Sequence, residues 1–469
     1  MKPSNLFILL LALALAGAAA PAPARQTEAP AAIPAHGVVA VDERHLDPEH
    51  WIERLGAAAD RPYLDAAAIA RQNADLVARD GSVRDIAALP AELDGAEVRE
   101  WIRALSSRPQ GERFDAAGAV LPATFFDALD RNLALDAVPA SQATRYGLVV
   151  RRADLRTFPG ATRIFSRPGD TDIDRFQESA LFPGTPVVIA HESGDGRWLF
   201  VVSDRYSAWI DRDAVAIGER DTVLGYARKS PSLVVTGATA RTVYNPEQPQ
   251  VSELQFDMGV RVPLLADWPA DRAVHGQHPY FGHVIELPLR QNDGTLALVP
   301  ALLPRTADVS PQPLPLTPAN IIGQAFKFLG ERYGWGHSYN ARDCSGFVSE
   351  VYRSMGVQVP RNTRDQSVSP ALDKTLFDAS DSHADRMAEV AKLKVGDLVY
   401  IPGHVMMVIG RENGTTYVIH DTTGIGYRGA GGDLVRIPLN GVVVTALEPL
   451  MSGQDRPTID SITSIVRIR

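Results

Sequence analysis

The 469-residue chain has one cysteine, Cys344. An internal disulfide is therefore excluded, and so is any paired Cys-x-x-Cys element. Cys344 also lies far from the first residues, which leaves no thiol for an amino-terminal lipid anchor. Positive charge is in short supply: 47 Lys and Arg stand against 56 Asp and Glu, a formal charge of -9. With no basic surplus to neutralise phosphates, nucleic acid is not expected as a partner. Long apolar runs are missing too. The run Leu6–Leu15 falls short of the roughly 20 residues that a spanning helix needs, and no later segment approaches that length. No transmembrane segment is expected in the mature chain.

That short run nevertheless has a reading. It follows Lys2 and precedes the small residues Ala16–Ala20, the pattern of a secretory signal peptide over residues 1–24, with cleavage after Ala18 or Ala24. Export to the periplasm as a soluble protein is the expectation. A hydrophobic content of 45% and a charged content of 22% are ordinary for globular protein, so the chain is expected to fold, in about three or four units.

Residues 25–44, Ala/Pro-rich as far as 36, are read as a flexible lead-in. A helical N-terminal domain is expected over 45–140: Asp47-Pro48 suits an N-cap followed by proline at N1, and Trp51, Ile52 and Leu55 recur at helical spacing. Val98, Ile102 and Leu105 beside Trp101 form a second stripe. From 141 to 217 the pattern becomes short apolar strands separated by Gly/Asp turns, including Pro186–Ala190, Trp198–Val202 and Ala208–Ile210. This is a small β-barrel pattern, and Tyr206–Ile210 resembles the closing strand of bacterial SH3-like domains. Residues 218–303 read as a second, more diverged barrel, with strands near 232–236, 260–265, 283–289 and 295–299. The Pro-rich stretch 304–316 is read as a linker that holds its neighbours apart. An α+β domain then fills 317–469, opened by a helix after Thr317-Pro318.

Within that domain a second helix follows Asp343 and places Cys344 in its first turn. Unpaired backbone N–H groups and the helix dipole favour a thiolate there, although the Asp343 charge opposes it. A cysteine nucleophile needs a base, and His404 opens an apolar strand, Val405–Ile409. A three-residue loop with Gly414 left-handed would put His404 and His420 on one face as diagonal neighbours, so that one ring could orient the other.

The motifs Tyr333-Gly-Trp-Gly336, Asp343-Cys-Ser-Gly-Phe347, Pro360-Arg-Asn362 to Gln366, Gly396-Asp-Leu-Val399, Gly403-His-Val405 and His420 resemble, in the same order, those of the NlpC-type cell-wall cysteine peptidases. The resemblance covers roughly residues 317–450. It implies a papain-like catalytic fold and cleavage of peptidoglycan stem peptides, often between γ-D-Glu and a diamino acid. By that resemblance Cys344 attacks, His404 activates it, His420 orients His404, and Tyr333 lines the substrate site; no cofactor is implied. The upstream pattern resembles the branch with a helical amino-terminal region and two SH3-like domains, in which the first barrel restricts the cleft to fragments with a free amino-terminal L-Ala. Glu178 and Tyr206 in that barrel, with Asp343, Ser345, Arg364 and Asp365 near the nucleophile, are the expected substrate contacts. One departure is His337, where many relatives have glycine.

Other readings exist for the same residues. A buried cysteine alone is a small hydrophobe, and His404 alone could be a satisfied core histidine. A zinc site of Cys344, His404 and His420 would leave an open position, but no paired ligand motif supports it, and no metal is expected. His275, His278 and His283 sit together in Gly/Pro-rich sequence and read as an exposed loop. An inactive wall-binding SH3 protein, or an amidase or transferase of the same superfamily, are the rival functions. Retention of all three polar residues favours the peptidase.

Overall fold

The computed structural model describes residues 33–469. The proposed signal peptide, and the first part of the lead-in, lie outside them. Among the described residues no helix is long and apolar enough to cross a membrane.

The last domain is built on a six-stranded antiparallel sheet in the order Asp373–Leu376, Ser464–Arg467, Leu398–Ile401, His404–Glu412, Thr415–Arg428, Leu434–Ala446. Alternation along the strands sorts the side chains. Val405, Met407, Ile409 and Ile419 face the helices Pro318–Phe326 and Cys344–Ser354, forming a core with Phe347, Val348, Val351 and Tyr352. Met406, Val408 and Val418 face the other way, into a second core with Val390, Leu450 and Ile465.

Two turns set where the histidines fall. Pro402-Gly403 joins strands paired at Ile401 and His404, with Gly403 at φ +77, so His404 is the first residue of its strand. The next hairpin turns on two residues, Asn413 and Gly414, both at positive φ, with Glu412 paired to Thr415. A two-residue turn carried straight down the ladder would put His404 and His420 on opposite faces. A bulge between Val408 and Gly410 shifts the register by one, so that Met407 pairs with Ile419. His420 thereby becomes the diagonal neighbour of His404. The three-residue loop expected from sequence is not present; the bulge supplies the same offset.

Upstream, the strands Gln177–Leu181, Ala153–Arg156, Ser207–Asp211, Trp198–Val202, Pro186–Glu192, Arg145–Val149 and Val215–Gly218 form one continuous antiparallel sheet in that order. Residues 232–310 form three short sheets around a common core of Leu233, Val235, Phe256, Val262, Ile285, Leu287 and Leu303.

Three sequence expectations need correction. The helical residues 45–140 are not one unit: Trp51 and Ile69 belong to the core of the last domain, whereas Val98, Ile102 and Leu133 pack with Phe200 and Trp209 of the first barrel. An amphipathic stripe shows that a face is buried but not what buries it. The described part of the lead-in is tied down, with Val39 buried and its N–H donating to the Tyr427 hydroxyl at 3.1 Å. Nor is 304–316 a spacer. Val309–Ser310 pairs with Ser232–Val235, the Leu314 N–H donates to the Ser354 carbonyl, and Leu316 is fully buried in the last domain. Proline suits extended edge segments as well as linkers, so its frequency could not decide between them.

Trp51 is the main anchor of the amino-terminal segment. It is 2% exposed, its indole donates to the His45 carbonyl at 3.0 Å, and its ring fills the space that a Cβ on Gly410 would need. Trp51→Ala is expected to cost about 3–5 kcal/mol in chemical unfolding. A loss under about 1 kcal/mol would show that the segment merely rests on the domain.

Candidate active site

Cys344 is the first residue of the helix Cys344–Ser354, and Asp343 caps it, as the sequence pattern requires. The cap is heavily engaged. Oδ1 accepts from the Gly346 N–H (2.8 Å), the Ser345 hydroxyl (3.0 Å) and Arg361 Nη1 (3.1 Å); Oδ2 accepts from Arg361 Nη2 (2.8 Å) and the Gly336 N–H (3.1 Å). Although burial opposes ionisation, Arg361 dominates and holds this carboxyl well below the usual range.

The thiol is 5% exposed and hydrogen-bonded to the backbone of Val405, the residue after His404. Burial pushes its pKa up to about 12, with the Asp343 charge adding to the effect. The thiolate expected from the helix start is therefore not the resting form: desolvation outweighs the dipole, because a sulfur anion loses more hydration than one helix end returns.

His404 Nε2 and His420 Nδ1 are 2.7 Å apart, and His420 Nε2 is 3.0 Å from Thr445 Oγ1. Burial lowers His404 to about 4 and His420 well below its ordinary value. No hydrogen bond joins the His404 ring to the thiol among the described residues. The paired rings line a cleft of about 380 Å³ whose rim includes Arg436 and Arg456.

The first barrel packs against the nucleophile's helix start. Arg361 Nε donates to Ser179 Oγ at 2.7 Å, and Gln177 is bonded through its amide to the Gly336 carbonyl at 2.8 Å. Gly336 sits at φ +57, and a Cβ there would press on Gln177, so this approach depends on glycine. Next to Ser179, Glu178 accepts from the Tyr206 and Thr157 hydroxyls. Tyr206, raised chiefly by burial and the Glu178 charge, also feels Arg361 and Asp343. Tyr333 is 6% exposed and kept protonated mainly by burial, with Cys344 the next influence. The structure thus brings Cys344, Asp343, Ser345, Tyr333, Glu178 and Tyr206 to one region. Arg364 is exposed, and Asp365 bonds only to Asn362 among the described contacts; neither joins that network.

His337 does not narrow the approach to the sulfur. At φ +66 it takes a conformation that glycine adopts freely, and its ring turns inward, accepting from Arg361 Nη2 (2.9 Å) and donating to Glu350 (3.0 Å). These bonds offset a left-handed cost of about 1–2 kcal/mol. The other histidine cluster is dispersed: His275 bonds Asn245, and His278 caps a short turn.

Two buried groups escaped the sequence reading. Arg361 stands in the Pro-Arg-Asn motif but was given no role. Asp421 follows His420, and a carboxylate ending an apolar strand was the signal available. Its oxygens have no hydrogen-bond partner among the described residues, and burial followed by the Asp343 charge raises its pKa well above the carboxylate range. Such a group destabilises the fold as pH rises above the unfolded value of about 3.9, because only the unfolded state then gains from ionisation. Asp421→Asn is expected to raise the unfolding midpoint at pH 7, with a smaller gain at pH 4. An equal gain at both would assign the effect to packing.

A thiol at a helix start and a histidine pair on adjacent strands are the parts that a cysteine peptidase needs. Residues 330–433 match the NlpC/P60 family and residues 163–211 match the SH3 domain of the SH3b1 type. A γ-D-glutamyl-L-lysine dipeptidyl-peptidase of Bacillus cereus is 27% identical over 267 residues, 52% of this chain and 67% of that one. The structure of an NlpC/P60 endopeptidase from Photobacterium damselae subsp. piscicida superposes with a TM-score of 0.70 at 16% identity, covering 90% of this chain and 96% of its own. That likeness establishes the shared architecture.

Proposed function

We propose that the protein is a peptidoglycan endopeptidase that cuts stem-peptide fragments between γ-D-Glu and the diamino acid, acting on those with a free amino-terminal L-Ala. The carrying observation is the placement of Glu178 and Tyr206 beside the Asp343–Arg361 pair at the nucleophile's helix start. The peptidase class and the named activity of the Bacillus cereus relative support the bond assignment.

The chemistry follows from the tautomer chain. With His420 Nε2–H donating to Thr445 and His404 Nε2–H donating to His420, Nδ1 of His404 keeps its lone pair. It takes the Cys344 proton as Sγ attacks the γ-carbonyl carbon of D-Glu. The neutral Tyr333 phenol beside the sulfur is a donor for the developing oxyanion. Collapse breaks the C–N bond, and His404 passes its proton to the leaving amine. Water then hydrolyses the thioester, giving one proton back through His404 to the sulfur. Asp343 has five donors on its two oxygens and little capacity left, whereas each Glu178 oxygen accepts only one. Glu178 is thus the carboxylate that meets the L-Ala ammonium.

His404 hands its proton to the leaving group, and its ring also lines the cleft on the second-core side of the sheet, beside Met406 and Leu450. Arg436 and Arg456 on that rim are exposed and have no carboxylate partner among the described residues. A diamino acid whose side chain reaches into that cleft would meet them with an additional carboxylate, which favours diaminopimelate over lysine.

The test follows L-Ala-γ-D-Glu-diaminopimelate, its N-acetyl form and the lysine analogue by mass spectrometry. Acetylation is expected to lower kcat/KM at least about 100-fold, and Glu178→Gln to erase most of that difference. Equal rates on free and acetylated peptide would refute amine recognition. Arg436→Ala should narrow the preference for diaminopimelate; unchanged selectivity would remove the arginines from the leaving-group site.

A further inference from the structure

At the far end of the His404–Glu412 strand, roughly 25 Å from His404 at about 3.3 Å per residue, a second polar cluster joins the amino-terminal segment to the sheet. His45 Nε2 lies 2.8 Å from Glu412 Oε2, and His50 Nε2 lies 3.8 Å from Oε1. One ligand atom from each of the three residues lies within 4.8 Å of the others. We propose that His45, His50 and Glu412 form a site for a divalent transition metal, zinc by ligand type, which fastens this segment to the catalytic domain.

Three observations carry the assignment. His50 Nε2 is buried without a hydrogen-bond partner among the described residues and points at the carboxylate; a buried ring nitrogen left unpaired is costly unless something binds it. His45 is fixed, 3% exposed and stacked on Tyr417 with ring centroids 4.6 Å apart. Its Nδ1 lies 2.9 Å from Asp42 Oδ1 as well as 3.0 Å from the Asp42 amide. In this structure Nδ1 accepts from that amide and Nε2–H faces Glu412; metal binding therefore moves the proton to Nδ1, which exchanges the amide bond for one to the Asp42 carboxylate and frees Nε2 for the ion in the carboxylate–histidine–metal arrangement. Two imidazoles and a carboxylate suit zinc and leave a fourth position for water. Tetrahedral bonds of about 2.0–2.1 Å require the His45–Glu412 pair to part slightly and His50 to move inward by under about 1 Å.

Arg44 and Arg54 reach the same carboxylate at 3.3 and 3.1 Å. Their side chains are 55% and 42% exposed, so both can withdraw into water, but they compete with a cation. This competition gives the proposal its own signature: removing an arginine must tighten binding.

The experiment titrates the chelator-treated full chain with Zn²⁺ by calorimetry and with Co²⁺ by visible absorption. One equivalent is expected, with a cobalt spectrum of a four-coordinate site and an upward shift of the unfolding midpoint. His50→Gln, which keeps the volume at a position without a present partner, should weaken affinity about 10–100-fold and abolish the shift. Arg54→Ala should strengthen it several-fold. His404→Ala, the active-site control, should bind as the parent does. Absence of binding, unchanged affinity in His50→Gln, or loss of the ion in His404→Ala would each overturn the proposal, the last by placing the metal at the catalytic histidines.

Discussion

Replacing Cys344 by alanine is expected to lower turnover of a stem-peptide substrate by at least about 10⁴-fold, because the step that forms the thioester has no substitute nucleophile. The stability cost should be about 1 kcal/mol, since only one buried sulfur and its bond to the Val405 amide are lost. The contrast between the two measurements is what decides. Residual activity near the parent level would transfer catalysis elsewhere and favour a wall-binding role for the last domain. Severe destabilisation would make Cys344 a packing residue. A clean loss with the fold intact leaves a hydrolase against a transferase, which product masses separate by showing whether water or a second amine accepted the acyl group.

The second large effect concerns the histidine pair. His404→Ala removes the group that accepts the thiol proton and is expected to cost about 10³–10⁴-fold in kcat. His420→Ala removes only the partner that keeps the proton on Nε2, and about 10–100-fold is expected. If His420→Ala proved the more damaging, base and orienting residue would exchange places. The pH profile offers a separate check. His404 must be neutral to act, and burial lowers it to about 4, so kcat/KM should hold from neutrality to about pH 5 and fall below that. An acid limb centred near the ordinary histidine value of about 6.5 would mean that the working ring is solvated.

Local chemistry was readable from the chain, and long-range packing was not. Asp343 as a cap and Cys344 in the first turn follow from neighbouring residues, as do Asp47 and Pro48 at the start of the helix Pro48–Leu55. The common face of His404 and His420 was anticipated from an incorrect loop. Turn length and bulge shift a ladder by equal steps, and the bulge residue, Ile409, is an apolar residue among apolar residues with nothing to mark it. Glu178 lies more than 160 positions before Cys344, and no spacing rule relates the two; only the family resemblance did. The partners of Trp51 were hidden for the same reason. Asp421 was visible as a polar residue in an apolar strand, yet its nearness to Asp343 needed the fold.

The burial of Cys344 has a consequence for its chemical lifetime. Oxidants and alkylating reagents attack the sulfur anion, and a thiol held near pKa 12 presents almost none of it at rest. In an oxidising compartment the lone sulfhydryl would therefore resist conversion to a sulfenic acid or capture as a mixed disulfide. Electrophilic inhibitors built without a peptide portion should label it slowly, whereas those that carry an L-Ala-γ-D-Glu portion should react faster because they bring the sulfur and His404 into use together. Nucleophilicity would then be a property of the occupied cleft, and the empty enzyme would store its reactive atom in an inert form.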